Sequence, residues 1–315
     1  MRKTMTRFSA IAVLLAIIYG YAADSSSFPL SLGGGFGGGD QIGAAVRGLG
    51  AIFNAAKDIS DDQEYFLGRS VSAQILAEKA YSKIYEIKNS PQQRPVTKYI
   101  NNIGHAIAIV SDRPETYGGY HFFVIDSPEL NAFAAPGGNI SITTGLLNVT
   151  RSEDEIAAIL AHEIIHVVKK HGIGAIKSSR WKGAAATLVL EGAKEAGSED
   201  VKELVSLFDG AVLDIKQTLI SNSYSSDREN EADSEGVSIL ARAGYNPGAM
   251  ASILESLSKI TSEDQKGGWL QEHADFETRI ENIKNILEEN DLKEKPSSDR
   301  KDRHTRIIAL LKKIG

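Results

Sequence analysis

Not one of the 315 residues is cysteine. With no thiol there is no disulfide framework, no thiolate metal site and no acylated cysteine of the lipoprotein kind, so any bound metal falls to histidine and carboxylate. A surplus of positive charge is missing too. The 35 Lys and Arg face 41 Asp and Glu, a formal net charge of −6, which argues against a nucleic-acid partner. No internal repeat is visible. The apolar run at the start of the chain, Phe8 to Ile18, falls short of the ~20 residues of a membrane-spanning helix. Arg2, Lys3 and Arg7 before that run and Gly20-Tyr21-Ala22 after it predict an export signal over residues 1–22, cleaved in the mature chain, with an uncleaved anchor as the competing reading. Its removal takes away three basic and no acidic side chains, shifting the formal charge to −9 and leaving no integral membrane span. Hydrophobic residues at 42% and charged residues at 24% are globular proportions, and the length allows one large or two small domains with ample core.

Within Ser31 to Gly50 the string Gly33-Gly34-Gly35-Phe36-Gly37-Gly38-Gly39 offers little to bury, and residues 23–59 are expected to form a flexible linker. No Lys-Ser/Thr pair follows, as a phosphate-cradling loop would require. Ser60-Asp61-Asp62-Gln63 has capping-box spacing and opens a predicted helix running towards Ile87; Pro95 to Val110 reads as a second. The period then changes. His121 to Ile125 is strand-like, and Asn131 to Ala135 and Ile140 to Thr144 flank a Pro136-Gly137-Gly138-Asn139 turn, a predicted hairpin whose weak alternation leaves its buried face open. Helices are expected from Ser152 onward, at 182–196, 201–220, 226–243, 247–260 and 275–287, followed by a charged, loop-like stretch from Asn290 to Arg306 and a short amphipathic cap around Ile307 to Ile314. The fold class is therefore α+β, mainly α, with one domain over residues 60–289 and a charged tail over 290–315.

The chemistry concentrates at His162-Glu163-Ile164-Ile165-His166. Positions i and i+4 of a helix share a face, so both imidazoles can reach one metal ion, while Glu163, one step round, can take a proton from a water that the metal activates. Ile156, Ala157, Leu160, Ala161, Ile164, Ile165, Val167 and Val168 cover most of the helix circumference, which marks it as buried. Two imidazoles and a carboxylate in a core need partners, and a metal supplies one.

A third ligand must come from elsewhere. In Arg228-Glu229-Asn230-Glu231-Ala232-Asp233-Ser234-Glu235, helical phase puts Glu229 and Asp233 on a face of mostly small residues and points Glu231 and Glu235 to water. The natural division is Glu229 on the metal and Asp233 behind it, accepting the other ring N–H of a ligating histidine. The absence of thiols favours zinc, one per chain. His171 is turned about 140° from the ligand face, which suits a structural hydrogen bond; His105, His121 and His304 are read as structural.

His-Glu-x-x-His followed by Glu-x-x-x-Asp on a later helix resembles the gluzincin peptidases. With NAFAAPGGNISITTG at 131–145, HEIIHVVKKH at 162–171 and RENEAD at 228–233, the chain is similar to the CaaX-prenyl-protease/HtpX family of zinc endopeptidases, metallopeptidase family forty-eight. The export signal makes it look like the periplasmic BepA-like branch. The resemblance extends over Gln63 to Leu287 and implies that His162, His166 and Glu229 bind zinc and that Glu163 is the catalytic base. In that branch a His-Pro-x-Thr-x-x-Arg-Ile segment supplies a histidine that can take a fourth zinc position. Here the segment reads His273-Ala274-Asp275-Phe276-Glu277-Thr278-Arg279-Ile280, which makes His273 a candidate fourth ligand or switch, against the reading of an ordinary capping or surface histidine.

The expected reaction is metal-assisted peptide hydrolysis. An exposed sheet edge near Ala132 to Ala135 would accept an extended polypeptide by strand addition, and the resemblance implies that role for Asn131 and Phe133, with Ala132 and Ala134 beside them. Misfolded or unassembled envelope proteins are the expected substrates, in the periplasm, with a peripheral place at the outer membrane as a further expectation. A different class stays open: a largely latent zinc-containing chaperone or assembly factor working with the outer-membrane assembly machinery, its cleft covered by the long insertion at 172–225.

Overall fold

A computed structural model describes residues 59–85, 91, 93–176, 198–220, 224–260, 275–295 and 297–314. The expected export signal, nearly all of the expected linker, the expected helix at 182–196 and His273 lie outside the described residues. In chain order the elements are helices α1 (Asp61–Leu76) and α2 (Arg94–Ala108), strands β1 (His121–Ile125), β2 (Ala132–Ala135) and β3 (Asn139–Thr143), and helices α3 (Thr144–Val149), α4 (Glu153–Val168), α5 (Ser198–Ile220), α6 (Ser226–Arg242), α7 (Ala249–Ser258), α8 (Phe276–Glu289) and α9 (Ser298–Ile314). The described residues are mainly helical, with one small sheet. Among the described residues no helix is long and apolar enough to cross a membrane.

Helix α4 is the axis of the core, buried from Glu153 to Val167 as its all-round apolar surface requires. Its start is fixed locally, Ser152 Oγ accepting from the Glu155 backbone N–H at 3.1 Å. The acidic first turn that follows is buried, and each carboxylate meets an arginine. Glu153 pairs with Arg303 through Nε at 2.8 Å, Asp154 with Arg300 at 3.0 Å and Glu155 with Arg151 at 2.8 Å. Two of those arginines sit where the sequence suggests a charged loop. The structure instead places them on α9, seventeen residues of helix that begin at Ser298. Pairing with the first turn of α4, together with His304 Nε2 at 3.0 Å from Thr150 Oγ1 and the buried Leu311, holds that stretch helical against the core.

The sheet has the order β1-β3-β2, with β1 parallel and β2 antiparallel to β3, registering Val124 with Ile142 and Ala132 with Ile142. Its weak alternation has a physical cause: both faces are buried. Ala132, Ala134, Ile140 and Ile142 join the larger core with α2 and α4, whereas Phe133, Ala135 and Ile125 join a second cluster with Val71 and Ile75 of α1 and Val212, Ile215 and Leu219 of α5.

The first helix is shorter than its sequence suggests, ending at Leu76 rather than near Ile87. The chain beyond it is drawn to the sheet, where Ile84 bridges Ile125, the Tyr85 N–H donates to Val124 O at 2.8 Å and the Asp126 N–H donates to Lys83 O at 2.8 Å. Tertiary pairing here overrides local helix propensity.

Between β2 and β3, Gly137 and Gly138 take φ of 77° and 100°, a left-handed turn that side chains resist. The turn is seated on α1: the Gly137 N–H donates to Glu64 Oε1 at 3.0 Å, and a Cβ on Gly68 would lie 1.8 Å from Pro136 O. Gly68→Ala therefore forces α1 and the hairpin apart. Its expected cost is ~1–3 kcal/mol, read as a lower urea midpoint of the metal-free chain; an unchanged midpoint would rule out this packing.

Candidate metal centre

Helix α4 delivers His162, Glu163 and His166 at the spacing of one turn, and α6 faces it with Glu229 and Asp233. The approach depends on small residues. Ala232 is fully buried, and a Cβ on Gly236 would stand 3.6 Å from the His162 backbone nitrogen and 2.7 Å from Met250 Cε. With Gly236 bare, the helices close until the Glu229 carboxylate lies between the two imidazoles.

The two rings cross at 81° with their Nε2 atoms 3.0 Å apart. Glu229 Oε2 is 3.4 Å from His162 Nε2, and Oε1 is 3.5 Å from His166 Nε2. Among the described residues, these three form the group whose ligand atoms all fall within 4.8 Å of one another, and all three are buried. Two imidazole nitrogens and one carboxylate oxygen form a donor set suited to a divalent ion such as zinc, with room in a four-coordinate shell for one more group. Glu163 lies beside them at 1% exposure.

A second tier holds the first. Asp233 Oδ1 is 2.9 Å from His162 Nδ1, and Arg279 of α8 clasps Asp233 by Nε to Oδ2 at 2.7 Å and by Nη2 to Oδ1 at 2.8 Å. The same guanidinium reaches Glu229 Oε2 through Nη1 at 3.0 Å. On the other imidazole, His166 Nδ1 stands 2.7 Å from His171 Nδ1, His171 Nε2 stands 3.0 Å from Glu231 Oε2, and the Tyr224 ring stacks on His166 at 4.3 Å between centroids.

Charge follows from this packing. Burial opposes protonation of His162, but Glu229 and Asp233 outweigh it and hold the imidazole up at about 9. Burial likewise opposes ionisation of Asp233, yet Arg279 and His162 bring its carboxyl below the usual carboxylate range. For His171 burial wins over Glu231 and holds the ring below the ordinary histidine value. Arg279 is pushed further up, its own burial outweighed by Asp233 and Glu229, with Glu163 contributing.

The structure brings His162, Glu163, His166, Glu229 and Asp233 into one site. Asn131, Ala132, Phe133 and Ala134 are placed differently from the exposed edge the sequence suggests. β2 is an edge strand, but these residues are 0–3% exposed. Tyr81 covers them, receiving a hydrogen bond from Asn131 Nδ2 at 3.1 Å and packing edge-on to Phe133 at 5.7 Å, and α5 closes over Phe133 through Val212, Ile215 and Leu219. Glu231 is a further difference. Half exposed, as its phase on α6 implies, it still bends back to His171 and pairs with Lys169 at 3.3 Å. Sequence reasoning missed the part played by Arg279, which it meets only as a matching position in the His273 segment, although two inward carboxylates on α6 call for a cation.

The profile described as Peptidase family M48 matches residues 95–287, a span holding every residue of the site. The chain is 32% identical over 169 residues to the beta-barrel assembly-enhancing protease of Escherichia coli (strain K12), covering 51% of this chain and 32% of that protein. It is 28% identical over 226 residues to the mitochondrial metalloendopeptidase OMA1 of Schizosaccharomyces pombe, covering 70% and 63%, and 24% identical over 205 residues to the metalloprotease LoiP of Escherichia coli (strain K12), covering 65% and 74%. It spans about a third of the length of the first of these relatives.

Removing the guanidinium while keeping the bulk tests the second tier. Arg279→Met leaves Glu229 and Asp233 buried without their cation and is expected to cost the metal-free fold at least ~3 kcal/mol, seen as a lower melting temperature. A melting temperature equal to wild type would show that the clasp does not hold this site.

Proposed function

The chain belongs to peptidase family M48, and from that premise we propose that it is a zinc-dependent endopeptidase. The observation that carries the reading is the convergence of His162 Nε2, His166 Nε2 and a Glu229 carboxylate on one buried point, with Glu163 beside it. Zinc at that point would supply Lewis acidity to the water and the peptide carbonyl that reach it. Glu163 takes the proton of the attacking water and hands it to the departing amine. Asp233 keeps His162 in the tautomer that presents Nε2, and Arg279 holds Asp233 and the far side of the Glu229 carboxylate.

The proposed substrates are exported polypeptides that are misfolded or unassembled, met in the periplasm after the export signal of residues 1–22 is removed. Similarity to a protein named for β-barrel assembly supports that setting and a place beside the outer membrane. A second reading, a largely latent assembly factor, is favoured by one observation: the β2 strand that would pair with substrate is covered. His273 stays in this proposal as a candidate fourth ligand or switch.

Glu163→Gln is expected to retain one zinc per chain and to lower casein cleavage by ~10²-fold or more; undiminished cleavage would remove Glu163 from the base role. A latent protein would instead show stoichiometric zinc and no cleavage until His273 is replaced by Ala. Zinc uptake also has a proton signature. With its imidazole held at about 9, His162 is protonated at pH 7 in the metal-free chain, so loading must expel a proton, and affinity rises as pH climbs towards that value. Calorimetry in buffers of different ionisation enthalpy should count about one proton released from His162; an enthalpy indifferent to buffer would contradict a protonated His162 in the metal-free chain.

A further inference from the structure

The two histidines of the site are not supported alike. His162 turns its Nδ1 to a carboxylate, whereas His166 turns its Nδ1 to another imidazole, His171, at 2.7 Å. Two ring nitrogens at that distance share one proton, so one donates and the other accepts. The Nε2 of His166 faces Glu229 and His162 and must offer its lone pair to a metal, which puts the ring proton on Nδ1. His171 Nδ1 is then the acceptor, and the proton of His171 lies on Nε2, the atom 3.0 Å from Glu231 Oε2. Each bond in the series has one direction, and its outer end is an anion.

The loop carrying His171 is built to keep it there. Lys170 adopts a φ of 54°, reversing the chain at the end of α4, and the His171 N–H donates to His166 O at 3.0 Å. Arg228 pins the same loop, donating to His171 O at 3.3 Å and to Gly174 O at 3.4 Å. Lys169 ties Glu231 and Glu235 together beside it. Helix α6 thus reaches His166 twice, with Glu229 at Nε2 and with Glu231, through His171, at Nδ1.

We propose that His171 and Glu231 are positioning residues of the metal centre, fixing His166 in the Nδ1–H tautomer and aiming its Nε2 at the metal. The inference rests on the reading of His162, His166 and Glu229 as zinc ligands. Neither residue touches substrate; both act through His166. Outer hydrogen-bond partners of ligating histidines change metal affinity by roughly 10-fold to 100-fold when removed.

The test is zinc affinity of the full chain, measured by competition with a chromogenic chelator. Glu231→Ala, a change at a side chain 42% exposed, should leave the metal-free melting temperature unchanged while weakening zinc about 10-fold. Glu231→Gln keeps an acceptor oxygen for His171 and should bind close to wild type. In a His171→Phe background, itself weakened, Glu231→Ala should have no further effect, because its route to His166 is gone. Equal zinc affinity in Glu231→Ala and wild type, or a loss that persists in the His171→Phe background, overturns the inference and leaves the ligand set standing. A wild-type chain without stoichiometric zinc overturns the ligand set, and the inference with it.

Discussion

Each buried acid in the first turn of α4 is answered by an arginine, as are the acids of α6 that face its far end, and the rest of the structure follows from that requirement. The helix is apolar around its girth yet carries three acids in its first turn and a His-Glu-His cluster near its end. Uncompensated, such groups would cost several kcal/mol each, more than a marginal fold can bear. At the start of the helix Arg151, Arg300 and Arg303 meet the acids; near its end Arg279 meets Glu229 and Asp233 from the facing helix. α8 and α9 are thereby placed by electrostatics as much as by their apolar stripes.

The same rule explains the composition of the site. Glu163, Glu229 and Asp233 face one buried arginine and, in the metal-free chain, a protonated His162. A divalent cation that displaced the His162 proton would replace one positive charge by two, match the three carboxylates together with Arg279, and let the imidazole present its lone pair. Rigid elements carry both halves of the donor set, so little ordering remains to be done on binding, the condition under which ligand geometry is held tightly.

What was legible in the sequence was what a single helical period records. The His162/His166 spacing, the inward phase of Glu229 and Asp233 and the all-round burial of α4 need only one element each. Features set between elements left weaker traces. The sheet shows no clear alternation because both its faces are buried; α1 stops early because the following chain pairs with β1; the charged stretch before Ile307 is helical because its arginines meet α4 about 150 residues earlier. Glu153 and Asp154 look like part of a solvated acidic first turn, and only their distant partners, Arg303 and Arg300, make them core residues. Glu231 is misread for a related reason: helical phase gives the direction of its Cβ correctly, while a long side chain can still bend back to His171.

The two hydrophobic clusters divide the labour of the proposed enzyme. Donors for the metal sit on α4 and α6 in the larger core, whereas the cover over β2 belongs to the smaller one, with α1, α5 and Tyr81. Tyr224 belongs to that smaller cluster, yet its ring lies on His166 of α4, beside the donor set. A polypeptide pairing with β2 has to displace α5 and Tyr81, at a cost in apolar burial confined mainly to the smaller cluster. The carboxylate clasp of Arg279 and the α4–α6 contact at Gly236 lie outside that region and need not be disturbed. Under the proposed reading, latency and a preformed metal centre are therefore compatible in one fold: the donors can stand assembled while β2 stays covered.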